Sequence, residues 1–258
     1  MTEPWPRPNY TTGGREAKIA LIALSSVKLP DPLPISRTKH GMPMAGDGPQ
    51  AIALAVRDRA DDPERFDGDV IAPFTELITG DLGDQALVRA REAQHAYVIE
   101  CELADPDDLG HIQAAWALAK CICEEGAFLV IDVYAARAHF GDEVGGLEPT
   151  RAFDIMHEVT LFFDELPDGT LAAWSLGCCK FGRPDLVVVG VAPEAATDTA
   201  LLLRDVAATL AFGDRVEPGD FVEAPDGRTL VAARFDPESQ PIVAVEGEAL
   251  LLRAAAGS

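Results

Sequence analysis

The densest β-forming pattern in the chain lies between residues 157 and 191. One apolar run, Val159-Thr160-Leu161-Phe162-Phe163, stops at Pro167-Asp168-Gly169. A second, Leu171-Ala172-Ala173-Trp174, gives way to Gly182-Arg183-Pro184-Asp185. Proline presets φ and glycine supplies φ > 0, so both interruptions read as turns. Three consecutive antiparallel strands are expected: 158–165, 170–180 and 185–191. Upstream, the apolar runs 18–27, 51–57, 96–103 and 128–134 read as further strands, and 84–93 as a short helix. Leu109, Ile112, Trp116, Ala119 and Cys123 recur at steps of three and four, giving one helical stripe. Asp105 is placed to cap that helix with Pro106 at its first position, and Gly126 to stop it. The second clear helix spans 193–212, with Leu203, Val206, Ala207 and Leu210 on one face and Gly213 after it. Runs 221–224 and 228–235 flank Asp226-Gly227 as a hairpin, and 242–252 reads as a last strand or strand pair.

This pattern predicts an α+β protein of mixed and antiparallel sheets with two principal helices, organised as two interlocked lobes. Residues 1–17 read as a mobile tail, 18–140 as a first α/β lobe, and 141–258 as a β-β-β-α-β-β-β lobe. The proline- and glycine-bearing stretch 29–50 reads as a long irregular crossing, 58–69 as a solvated acidic loop, and 139–147 as a linker.

Charge changes the picture most. The 258 residues carry 43 acids and 21 bases, a net charge of −22, with 25 acids and 13 bases in residues 1–150 and 18 and 8 in residues 151–258. A surface this evenly negative disfavours nucleic acid and anionic membranes and speeds encounter with a basic partner. The same acidity also serves solubility alone. No apolar run reaches the roughly 18–20 residues of a membrane span, and the first residues lack a charged-then-apolar leader pattern, so a cytoplasmic location is expected. Five cysteines, an odd number, favour reduced thiols over a disulfide framework.

Catalytic signatures are absent: there is no G-x-x-x-x-G-K-[ST], no G-x-G-x-x-G, no H-E-x-x-H and no G-x-S-x-G. Cys121 and Cys123 point about 200° apart on a helix, and Cys178 and Cys179 would face opposite sides of a strand, so neither pair suits one metal ion. No metal or cofactor is expected. Asp132, among apolar neighbours, reads as a strand-end acid or an arginine partner, with a raised-pKa catalytic acid as the alternative. His139 with Asp142 and Glu143 has helical spacing, but Gly141, Gly145 and Gly146 argue against a helix there.

Ser175-Leu-Gly-Cys-Cys-Lys-Phe-Gly-Arg-Pro-Asp185, the apolar strand after it, the following helix and the turn Pro218-Gly219-Asp220 together resemble the bacterial domain of unknown function numbered 4261. Ala93-Gln-His-Ala-Tyr-Val-Ile99 and the helix after it are similar to that family's first half. The resemblance implies a cytosolic bacterial α+β protein and no activity. It also implies a place beside secreted-toxin genes, hence an immunity protein. Charge and resemblance then favour an acidic binding protein that occludes a basic partner such as a nuclease toxin. The candidate contact acids are Asp61, Asp62, Glu64, Asp67, Asp142, Glu143, Asp164 and Glu165. The alternatives are a small-molecule-binding protein or hydrolase-like enzyme with a pocket between the lobes, and a structural or assembly subunit.

Overall fold

The computed structural model describes residues 2–44, 50–223, 227, 229–239, 243, 245 and 248–254. The α+β class is as expected, and the chain separates into two units. The first holds the residues up to Pro6 and Lys18–Phe153; the second holds Arg7–Ala17 and everything from Asp154 onward. The division therefore falls after 153, not at 140. Gly141 explains part of the difference: a Cβ there would lie 2.2 Å from the Ala127 carbonyl oxygen. The stretch expected as a linker is the strand Arg137–Phe140 followed by the helix Gly141–Gly145, with Val144 buried.

Residues 2–16 are packed and not a tail. Trp5 is buried, and its indole Nε1 donates to the Arg151 carbonyl at 3.0 Å. Arg7, also buried, donates to the carbonyls of Ala211 (3.0 Å) and Leu210 (3.2 Å). Those are orphan acceptors at the end of the helix Ala196–Ala211, where a guanidinium also meets the negative end of the dipole.

The first unit is a five-stranded sheet in the order β2-β3-β1-β4-β5. Its strands are β1 (Glu16–Ser25), β2 (Ile52–Asp58), β3 (His95–Ala104), β4 (Ala127–Asp132) and β5 (Arg137–Phe140). The pairs β2/β3, β1/β4 and β4/β5 are antiparallel. Alternation decides the faces. Ile22, Leu24, Val98, Leu129 and Ile131 bury against Phe66, Val70, Ile71, Ile78 and Leu87 of the segments between β2 and β3. The helix Gly110–Glu124 packs on β3 and β4. It begins four residues later than expected: Asp105 takes φ +32, and it is Asp108 whose carboxylate accepts from Gly110 N at 2.8 Å. Asp132 closes β4, fully buried, and accepts from Ala135 N at 3.1 Å, with Arg137 its register partner on β5.

The second unit is a six-stranded sheet in the order β6-β7-β8-β11-β10-β9, made of β6 (Thr160–Glu165), β7 (Leu171–Leu176), β8 (Asp185–Val191), β9 (Phe221–Glu223), β10 (Thr229–Arg234) and β11 (Ala249–Ala254). Only β8 and β11 pair in parallel; the remaining pairs are antiparallel. The helix Ala196–Ala211 packs on β7 and β8. Ala172, Trp174 and Val187 bury on the opposite face against Phe235, Ala249 and Leu251. The hairpin turn expected at Asp226 and the expected strand start at Ile242 lie outside the described residues.

β7 stops at Leu176, so the strand expected to run to 180 is shorter and Cys178 and Cys179 are not in it. Gly177 takes φ +122 and Cys178–Phe181 forms a 3₁₀ turn closed by Gly182 at φ +65. A Cβ at Gly177 would stand 2.4 Å from the Glu158 carbonyl oxygen, and one at Gly182 2.3 Å from that of Arg15. Buried Asp185 fastens the turn: its Oδ1 accepts from Cys178 N (3.0 Å) and from Ser175 Oγ (3.1 Å), and Ser175 Oγ accepts from Leu186 N (2.9 Å). Within the same turn, Lys180 Nζ meets Glu158 Oε2 at 2.8 Å, both side chains buried. The signature residues of this stretch thus close a turn.

Candidate functional site

β2 ends its sheet, with β3 on one side and no other strand paired to it among the described residues. It is an apolar strand, Ile-Ala-Leu-Ala-Val, yet its residues are exposed on both faces. Leu54 stays 40% and Val56 49% exposed, although their register partners Ile99 and Tyr97 are buried. An uncovered apolar edge strand is a template for pairing with another chain.

The chain leaves β2 through Asp58 and turns at once into the acidic segment. That segment is helical and not the loop its composition suggested. Asp62 caps Pro63–Phe66 by accepting from Arg65 N at 3.0 Å, Pro63 sits at the first turn where no amide is needed, and the backbone widens to i→i+5 bonding over Asp67–Ile71. Phe66, Val70 and Ile71 anchor it in the core. Its polar face meets the β2 edge around an open groove of about 380 Å³ bounded by Val56, Arg57, Asp58, Asp61, Asp62 and Phe66.

Positive charge is threaded through the cluster. Arg59 Nη1 lies 2.7 Å from Asp67 Oδ1 and its guanidinium stacks over the Phe66 ring at 4.6 Å. Arg57 (3.2 Å) and Arg65 (3.1 Å) share Asp69. Residues 57–69 hold six acids and three arginines. Asp61, Asp62 and Glu64 pair with no basic side chain among the described residues, so the surplus negative charge sits at the groove's rim.

Of the eight acids singled out from sequence, four therefore come together here: Asp61, Asp62, Glu64 and Asp67. Asp142 and Glu143 open the short helix after β5, at the opposite end of the same sheet. Asp164 and Glu165 end β6 in the second unit. Sequence reasoning passed over Asp58 and His95, which the antiparallel register places opposite one another, Oδ1 to Nδ1 at 2.5 Å. The hydrogen bond from His95 holds the Asp58 carboxyl below its ordinary range, against the effect of burial; Lys28 Nζ stands 3.7 Å away. No hydroxyl or thiol bonds His95 among the described residues, so the pair lacks the nucleophile that a triad requires.

A second ionic cluster joins Lys39, His40, Lys120 and Glu124. His40 Nδ1 accepts from Ser36 N at 2.9 Å, so Nε2 carries the proton it shares with Glu124 at 3.2 Å. Burial works against ionising Glu124, but Lys39, Lys120 and His40 outweigh it and lower its pKa to about 2. The cluster fastens the turn at 36–41 to the helix Gly110–Glu124. Burial disfavours the thiolate at four of the five cysteines, pushing Cys101 and Cys121 up to about 11 and Cys123 to about 12, and raising Cys178 well above the ordinary range. Among the described residues no group of three or more His, Cys, Asp or Glu could hold a metal ion, and no helix is long and apolar enough to cross a membrane.

No family model matches the chain, and neither a curated protein nor a solved structure is significantly similar to it.

Proposed function

We propose that the chain is a binding protein whose first unit docks a basic protein segment along the edge of β2, acting in the cytoplasm as an immunity protein that occludes a basic partner such as a nuclease toxin. The observation that carries the docking reading is one juxtaposition. An apolar edge strand uncovered on both faces adjoins three acids with no basic partner among the described residues. An extended segment can add to such an edge through main-chain hydrogen bonds, with Leu54 and Val56 offering apolar contacts. Asp61, Asp62 and Glu64 would set the sign of the partner and the speed of encounter. The immunity role rests on the resemblance to the 4261 domain.

The immobilised chain, exposed to extract of its native host at low salt, is expected to retain a basic protein and release it as ionic strength rises. Leu54→Lys/Val56→Lys and Asp61→Lys/Glu64→Lys should each abolish retention, since all four positions face solvent and a properly folded protein is expected. Retention that ignores both variants, or a retained protein that is itself acidic, would refute the docking site. A retained basic protein whose toxicity co-expression does not relieve would refute the immunity role alone.

A further inference from the structure

The second unit contains a feature that inverts the charge of the chain. Arg15, Arg183, Arg215 and Arg234, four of the sixteen arginines in a protein of net charge −22, line one cavity of about 140 Å³. Among the described residues, two carboxylates, Glu217 and Glu248, line it with them. Glu248 is shared: it pairs with Arg15 and lies 3.6 Å from Arg234. Glu217 pairs with Arg215. Among the described residues the lining thus holds four arginines and two carboxylates.

Two of the four guanidinium groups are held in place by backbone. Arg183 is buried and donates to the carbonyls of Asp214 (3.0 Å), Gly213 (3.0 Å) and Gly182 (3.1 Å). Arg215 donates to Thr12 O at 3.1 Å and lies so close to Gly13 that a Cβ there would stand 2.5 Å from its Nη1. Gly13, Gly14 and Gly182 form the wall between them and put no side chain into the space. Gathering four like charges in a partly enclosed space is unfavourable unless something of opposite charge offsets it. The cavity falls below the roughly 300 Å³ of drug-sized ligand sites, too small for a nucleotide. The guanidinium fork matches the oxygens of phosphate or carboxylate.

We propose that this cavity binds one small oxyanion, a phosphate or carboxylate group, through Arg15, Arg215 and Arg234, with Arg183 supplying a fixed positive wall. Glu248 then occupies two of the arginines when the anion is absent and competes with it.

Isothermal titration at constant ionic strength, with sodium phosphate in one arm and sodium acetate in another against chloride, reads this directly. One saturable site per chain is expected, and the tighter arm identifies the oxyanion. Arg234→Gln, at a largely exposed side chain, should weaken binding at least tenfold, and Arg91→Gln, exposed in the first unit, should leave it unchanged. Glu248→Gln separates a ligand site from a merely structural cluster. If the arginines exist to pair with Glu248, that variant loses stability and gains no ligand. If they serve an anion, it binds the same anion several-fold more tightly. No saturable site for either anion, or a site indifferent to Arg234→Gln, would overturn the proposal.

Discussion

Residues 57–69 and residues 175–185 each combine a strand end, a tight turn and a run of polar side chains, and they use charge in opposite ways. In the first, most charges face water: of six acids, Asp67 and Asp69 pair with the three arginines, and Asp61, Asp62 and Glu64 have no basic partner among the described residues. In the second, the polar groups are buried and bonded to one another: Asp185 to Ser175 and Cys178, Lys180 to Glu158. Exposed charge adds little to stability, typically about 0–1 kcal/mol per pair. Buried charge is destabilising unless paired, and once paired it fixes geometry. The most distinctive stretch of sequence is therefore framework. The less distinctive acidic stretch holds the groups a partner could reach.

Breaking the buried pair should produce the largest effect. Lys180→Met removes the ammonium that meets the buried Glu158 carboxylate and should destabilise the fold by about 3–5 kcal/mol. Urea unfolding measures it as a fall in midpoint at unchanged slope. Lys180→Met/Glu158→Leu should recover most of the loss, because both members of the buried pair are then apolar. A single variant within about 1 kcal/mol of the parent would mean that the pair behaves like the exposed ones of the edge, and the contrast between the two regions would fail.

Asp185 gives the next effect, and it depends on pH. Burial pushes its carboxyl up from 3.8 to about 6, although hydrogen bonds from Cys178 and Ser175 favour the charged form. Because the folded value lies above the unfolded one, the stabilisation is complete below about 3.8 and is lost as pH rises through about 6. A shift of this size corresponds to about 3 kcal/mol. Asp185→Asn keeps an acceptor for Cys178 N and removes the titration. Plotted against pH from 4 to 7, the parent's unfolding free energy should fall relative to the variant's. Parallel curves would show that the carboxyl titrates as an exposed one does.

The framework was legible in the sequence where apolar runs met local turn chemistry. β6, β7 and β8 followed from Pro167-Asp168-Gly169 and Gly182-Arg183-Pro184, and the helix Gly110–Glu124 from its stripe of Leu109, Ile112 and Trp116. What escaped depends on partners distant in sequence. The helix Thr75–Leu82 contains Gly80 and buries fully only Ile78, so its pattern was faint. Arg7 is fixed by carbonyls more than two hundred residues away, and nothing local announces that. The acids of the groove were visible as density, but that β2 is an edge is a property of pairing, which composition does not carry. The arginine cavity is assembled from 13–15, 182–184, 215–218, 234 and 248–250, so only the folded unit reveals it.

The smallest stability effect is the most informative about the edge. Asp61→Asn and Glu64→Gln each remove a solvent-facing charge that no basic side chain meets, and each should change unfolding free energy by less than about 0.5 kcal/mol. Asp62 marks the limit of that rule, because its carboxylate caps Pro63–Phe66. Asp62→Asn keeps the cap and should be neutral, whereas Asp62→Ala should cost about 1 kcal/mol. Binding should rank the residues differently. Rim charges act on encounter, so Asp61→Asn, Asp62→Asn and Glu64→Gln should each slow association with a basic partner and flatten its dependence on salt, leaving dissociation little changed. Stability and association rate then separate in Asp61→Asn, Asp62→Asn and Glu64→Gln, whereas Asp62→Ala lowers both. If the neutral variants left the association rate and its salt slope untouched, the edge charges would serve solubility alone, and the difference between the two regions would be one of burial without function.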